Sequence, residues 1–304
     1  MTSWLITGAS GLLGGNAALD LSATGSVVGA ARTAPADSPV PFLTVDLADA
    51  ADRAGLVERS GASAVIHAAA LSSIEAAEND PVRAHEVNVT ASADLAAQAA
   101  ALGARFVYIS TDAVFDGADG GYDEQSEPSP TTEYGRTKLA GERAVLEANP
   151  DALVARVNFY GWSPSGRRSL AEYFHSRLTA GQEAPGFTDV TVSTMYVGHL
   201  VASLAALVEV GASGVVHVVS GEATTKFDFG RRLARTLGLD EALVTPGASS
   251  DHLAIQRGAR LDLRTGRMNG LLGATAPGQQ EGMDRLASDL LSGRVAAVAR
   301  FQNT

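Results

Sequence analysis

The chain has 304 residues, 45% of them hydrophobic and 19% charged, with 32 glycines, no cysteine and a formal net charge of −11. This composition excludes wholesale disorder, a disulfide framework and a thiolate metal site, and no acidic cluster in the sequence points to a metal. The acidic balance argues against a sequence-independent grip on nucleic acid, so small-molecule chemistry is the expectation.

The first expected strand, SWLIT at 3–7, starts almost at once and leaves no room for a charged and apolar leader. No apolar run is long and uninterrupted enough for a bilayer span, so the cytoplasm is the expected compartment. The strand runs into ITGASGLLGG, with Gly8, Gly11 and Gly14 spaced G-x-x-G-x-x-G before the helical pattern Leu12, Leu13, Leu19. Glycines there tighten the turn and admit backbone amides to a pyrophosphate, while the helix N-terminus favours negative charge. The alternative is a merely tight strand-to-helix turn.

A second strand at 26–31 ends in GAARTA, giving Arg32 and no carboxylate. An arginine at that point accommodates a 2′-phosphate, which favours NADPH over NADH; the alternative is a solvated loop cation. After a third strand at 41–45, Asp46 and Leu47 are placed to meet an adenine edge, unless Asp46 caps the next helix. A fourth strand covers 64–67. Val87, Ala91, Leu95, Ala99 and Leu102 then mark one buried helix stripe, and a fifth strand covers 105–110. In YGRTK, Tyr134 and Lys138 stand four residues apart, on one face of a helix and within reach of a common small molecule.

A sixth strand at 152–157 is followed by the polar stretch 161–169, a strand at 214–219, and helices at 227–239 and 282–291. Strands alternating with helices indicate an α/β protein with a Rossmann-type doubly wound parallel sheet and a smaller C-terminal α/β substrate lobe. Residues 1–157 form the expected dinucleotide-binding domain, with about 188–220 returning to it, and 158–304 are mainly the substrate lobe.

TGASGLLG at 7–14, HAAA at 67–70, STDAVFDG at 110–117, YGRTKLAGE at 134–142 and RVNFYGW at 156–162 together resemble the extended short-chain dehydrogenase/reductases. Within them the pattern is most similar to the dTDP-4-dehydrorhamnose reductase family, and looser matches at 214–229 and 257–263 extend it over nearly the whole chain. The resemblance implies a catalytic triad of Thr111, Tyr134 and Lys138. Tyr134 would give the proton that a ketone needs on hydride transfer, with an ammonium nearby lowering its pKa. It also implies cofactor contacts by Ser10, Leu12, Leu13, Ala68, Ala69, Ala70, Asn88 and Ser110, in addition to the glycines, Arg32, Asp46, Leu47, Tyr134 and Lys138. Substrate contacts would come from Asp112, Ala113, Val114, Phe115, Asn158, Phe159 and Arg257.

The sequence departs from that family at Ala113, where an aromatic is usual, and at Phe159, where tryptophan is usual. Arg257 with Arg260, or Arg167 with Arg168, are alternative partners for a diphosphate. Dehydratases of this superfamily carry an acidic pair directly after the threonine, whereas here Asp112 is followed by Ala113, which argues against a dehydratase. The leading expectation is NADPH-dependent reduction of a keto group, at C4, on a nucleotide-activated deoxysugar. The alternatives are a nucleotide-sugar epimerase and a non-catalytic NADP-binding subunit like that of methionine adenosyltransferase. A homodimer is compatible with the resemblance.

Overall fold

The computed structural model describes residues 1–251 and 258–302. Its central sheet contains β1 (Ser3–Thr7), β2 (Ser26–Ala31), β3 (Phe42–Thr44), β4 (Ala64–His67), β5 (Arg105–Thr111), β6 (Leu153–Val157) and the strand Gly214–Val218. The spatial order is Gly214–Val218, β6, β5, β4, β1, β2, β3, and every neighbouring pair is parallel. The chain builds outward from β1 to β3, then crosses back to β4 and builds the other way. The crevice beyond the carboxyl ends of β1 and β4 is therefore the topological switch point, the place where such sheets receive ligands.

Covered on both faces, these strands read as nearly continuous apolar runs, and their alternation divides successive side chains between two cores. Trp4 and Ile6 join Val107, Ile109 and Val157 on one face, whereas Leu5 joins Val65, Phe106, Tyr108 and Val154 on the other. Helices Leu12–Leu21 and Val197–Glu209 cover the first face through Leu13, Ala17, Leu200 and Leu204. Helices Ala91–Ala101 and Glu133–Ala148 cover the second through Ala91, Leu95, Ala99 and Val145.

Every strand expected from the sequence is present, each within one residue of its expected bounds. The helix stripe is interrupted. Residues Glu86–Thr90 form a π-helical turn before Ala91–Ala101, and the wider turn leaves Val87 only half-buried. At the other end Leu102 is a helix cap, 50% exposed.

In the smaller lobe, Phe159–Tyr160 pairs with Met195–Tyr196, Ala184–Phe187 pairs with Val244–Gly247, and Thr191–Val192 lies between Thr224–Thr225 and Arg260–Leu261. Helices Leu170–Thr179, Lys226–Thr236 and Gln279–Leu291 pack there through Phe174, Phe229, Leu233, Met283 and Leu286. The last segment returns to the first helix. Arg294 donates to Asp20 Oδ2 and Asn16 Oδ1, each at 2.9 Å, and Asn16 Nδ2 donates to the Trp162 carbonyl at 2.9 Å. The Trp162 indole in turn donates to the Leu286 carbonyl at 3.0 Å. Among the described residues no helix is long and apolar enough to cross a membrane.

Candidate active site

A cleft of about 500 Å³ opens at the switch point and runs from Arg32 and Asp46 at one end, past the glycine loop, to Thr111, Tyr134 and Phe159 at the other. Two glycines shape its floor. Gly8 has φ +68, and a Cβ there would stand 2.8 Å from the Ala69 nitrogen. A Cβ on Gly14 would overlap the Gly8 carbonyl oxygen, so the helix could not approach the loop. The helix Leu12–Leu21 starts at Gly11 with no side-chain cap and no acid in its first turn, leaving its first N–H groups to an anion in the cleft. These features fit a dinucleotide pyrophosphate.

At the far end Arg32 is exposed and Leu47 buried, and both line the cleft with Asp46. The Ala48 N–H, then Arg83 and Arg32, hold the Asp46 carboxyl below the usual carboxylate range against the opposing effect of burial. Arg83 also lines the cleft, as do Leu71, Ser72 and Val87. Sequence reasoning did not single them out as site residues. Arg83 sits on a five-residue helix, Pro81–His85, with no apolar period to announce it.

At the opposite end β5 delivers Ser110 and Thr111, and a short 3-10 turn, Asp112–Val114, delivers Asp112. The Thr111 hydroxyl donates to Asp112 Oδ1 at 3.0 Å and accepts from the Ala113 N–H at 3.1 Å. Asn158 Nδ2 donates to Asp112 Oδ2 at 2.6 Å. Burial pushes the Asp112 carboxyl up, while the bonds from Asn158 and Thr111 pull it back.

Tyr134 enters from the second residue of helix Glu133–Ala148, whose N-cap Thr132 accepts from the Gly135 N–H at 3.1 Å. Gly135 lets the helix start press against the 3-10 turn that follows β5, since a Cβ there would overlap the Ala113 carbonyl oxygen. Burial raises the Tyr134 phenol to about 12, opposed by the Thr111 side chain and aided by the Asp112 charge. The expected lowering by a nearby ammonium is not found: burial, the largest influence, disfavours the phenolate, and the only lowering comes from the Thr111 side chain. One turn on, Lys138 is buried and lowered to about 7 by that burial, with Glu142 acting the other way.

Lys138 and Asn88 lie behind the lining of the cleft rather than on it. Asn88 ties the loop after β4 to the tyrosine helix: Oδ1 accepts from the Leu71 N–H at 2.9 Å and Nδ2 donates to Thr137 Oγ1 at 3.1 Å. His67 is likewise buried, between Thr7 Oγ1 at 2.7 Å and Ser92 Oγ at 2.9 Å. Ser110 lines the cleft, and its hydroxyl donates to Glu142 Oε1 at 2.5 Å, a carboxylate that also receives Arg156 Nε and Nη2.

Gly8, Ser10, Gly11, Leu12, Leu13, Gly14, Ala68, Ala69, Ala70, Asp112, Asn158 and Phe159 all line the cleft. Ala113, Val114 and Phe115 do not. The 3-10 turn carries Val114 and Phe115 into a separate apolar cluster with Val190, Val192 and Leu261, where Phe115 stacks on Tyr122 at 4.3 Å between centroids. Arg257 lies outside the described residues. Of the other diphosphate candidates, Arg168 lines the cleft, whereas Arg167 and Arg260 do not.

The RmlD substrate binding domain family matches residues 2–292. The chain belongs to the RmlD substrate-binding domain family. As a member of this RmlD family it is an oxidoreductase on a Rossmann-type fold. It is 36% identical over 278 residues to the probable low-salt glycan biosynthesis reductase Agl14 of Haloferax volcanii, covering 90% of this chain and 93% of that protein. It is 35% identical to a dTDP-4-dehydrorhamnose reductase of Mycolicibacterium smegmatis, covering 82% of this chain and 73% of the relative. Among solved structures, the dTDP-4-dehydrorhamnose reductase of Bacillus anthracis in complex with NADP superposes with a TM-score of 0.82 over 95% of this chain and 98% of that one, at 24% identity.

Proposed function

We propose that the protein reduces a keto group, at C4, on a nucleotide-activated deoxysugar, with NADPH as the reductant. The observation that carries this reading is the convergence of Thr111, Asp112 and Tyr134 on one end of a cleft whose middle is the glycine loop and whose other end holds Arg32. Residues 1–157, with about 188–220, form the coenzyme-binding part in this reading, and 158–304 mainly the substrate lobe.

When bound, the nicotinamide supplies the hydride. Every other requirement falls to side chains. The carbonyl oxygen becomes an alkoxide and needs a proton, which the Tyr134 hydroxyl gives; raised to about 12, the phenol is fully protonated at neutral pH and ready to donate. Lys138, lowered to about 7 by burial and one helical turn from Tyr134, is the group that returns a proton to the phenol after each turnover. Thr111 holds the carbonyl oxygen in line with Tyr134, and Asp112 with Asn158 meets hydroxyls of the sugar ring. Arg168, at the cleft, is the arginine offered to the substrate diphosphate.

The test is a titration of the purified protein with NADPH and NADH, followed by NADPH oxidation against a panel of 4-keto-6-deoxy nucleotide sugars. Tighter NADPH binding and turnover that disappears in Tyr134→Phe are expected. Tight coenzyme binding with no turnover on any ketone would overturn the reductase reading.

A further inference from the structure

The adenosine end of the cleft carries a conflict of charge. Arg32 follows β2 and Asp46 follows β3, and the two strands pair in register from Gly29 and Phe42 to Ala31 and Thr44, which brings the two side chains to one rim. A guanidinium there suits a 2′-phosphate, but an ionised carboxylate beside it repels one. Asp46 is held ionised by the Ala48 N–H at 3.1 Å. Its backbone is fixed as well, because the Asp46 N–H donates to Asp52 Oδ2 at 2.6 Å.

Arg83 answers this conflict. Its Nη2 donates to Asp46 Oδ2 at 3.1 Å and approaches Oδ1 at 3.4 Å, and it reaches there from a helix capped by Asp80, whose Oδ1 accepts from the Arg83 N–H at 3.0 Å. The three charged side chains that line this end, Arg32, Asp46 and Arg83, sum to one positive charge. Without Arg83 the sum is zero. Both members of the pair are about two-fifths exposed, so the masking operates at the water boundary and weakens with salt.

We infer that Arg83 masks the Asp46 carboxylate and so makes this end of the cleft selective for a dinucleotide bearing a 2′-phosphate, coenzyme choice resting on two arginines rather than on Arg32 alone. The inference deepens the NADPH reading above and rests on it. Arg83 lines the cleft together with Arg32, Asp46 and Leu47, and a direct contact from it to the adenine would be a different role, acting on NADPH and NADH alike.

The experiment is calorimetric titration of NADPH and NADH into the wild type, Arg83→Gln, Asp46→Asn and the double variant, with no substrate present. Arg83→Gln is expected to weaken NADPH binding by about tenfold and leave NADH within about twofold. Asp46→Asn alone is expected to bind NADPH as tightly as the wild type or more so, and the double variant to recover to within about threefold of it, because the charge needing a mask is gone. Equal losses for both coenzymes in Arg83→Gln, unchanged NADPH binding in it, or a double variant as weak as the single would each overturn the inference. If Arg83→Gln fails to fold, weaker NADPH binding by Asp46→Asn overturns it independently. A wild type that binds NADH as tightly as NADPH removes the parent reading instead, whatever the variants do.

Discussion

Lys138 and Tyr108 form a buried cation–π pair, with the ammonium nitrogen 3.8 Å from the ring centroid. Tyr108 belongs to β5, which ends at Thr111, and Lys138 to the helix that carries Tyr134. The pair therefore fastens the two elements of the catalytic end together. A ring face attracts a cation but replaces little of the water it has lost, so burial dominates and the lysine titrates near 7.

Stability should follow that titration. An unfolded lysine titrates near 10.5 and the folded one near 7, so between those values the unfolded chain binds more protons and stability rises with pH. The contribution is fully present above the unfolded value and lost as the pH falls through about 7. Lys138→Met removes the titration. Urea unfolding should find this variant at least as stable as the wild type at pH 7, with its relative advantage shrinking toward pH 10; a variant clearly less stable at pH 7 contradicts the account.

Thr111→Val removes one of two side-chain donors to the Asp112 carboxylate and the hydroxyl expected to align the carbonyl. Turnover should fall by about 100-fold, in the range found for losing one preorganised donor. The Asp112 carboxyl, already raised by burial, should move further up, as carbon-13 NMR of labelled aspartate would record. An Asp112 titration that stays where it is would show that Thr111 does not hold that charge.

Gly141→Ala puts a methyl group where the Tyr108 hydroxyl and the Asn88 carbonyl oxygen already touch the tyrosine helix. Relief requires the helix to move away from β5 and breaks the 3.0 Å bond from Tyr108 to Asn88. A loss of about 1–3 kcal/mol in unfolding free energy is expected, the usual cost of overpacking. Equilibrium denaturation measures it, and an unchanged midpoint would mean the contact is looser than described.

Acid should weaken the fold through two imidazoles. Burial, aided by Lys138 for His67 and by Arg156 for His217, lowers both to about 3 from an unfolded value of 6.5. The stability of the neutral rings is fully present above pH 6.5 and is lost as the pH falls toward 3. His217→Leu should therefore gain on the wild type between pH 7 and pH 5 in thermal melts; parallel melting curves across that range would contradict this.

The strands were legible because a sheet covered on both faces demands long apolar runs, and the glycine loop because Gly8 and Gly14 stand where no side chain fits. Three features were not. Val114 and Phe115 follow Thr111 directly in sequence, yet one 3-10 turn diverts them into another core, and a turn of three residues has no period to read. The direction of the Tyr134 shift also escaped, since spacing reports that a cation is near but not how much water either group has lost. Arg83 escaped for a third reason: its partner, Asp46, lies 37 residues earlier in the chain.

The salt bridge between Asp20 and Arg294 spans 274 residues of sequence. On the ribosome, at about 5–20 residues per second, the first helix waits roughly 15 to 55 seconds before that partner is made. Until then its outer side is unsealed and Asn16 and Asp20 lack the guanidinium that later joins them. A helix synthesised well before its partner is thus among the last parts to be finished, and a nascent chain stalled before Arg294 should expose this helix to protease while a chain that includes Arg294 shields it.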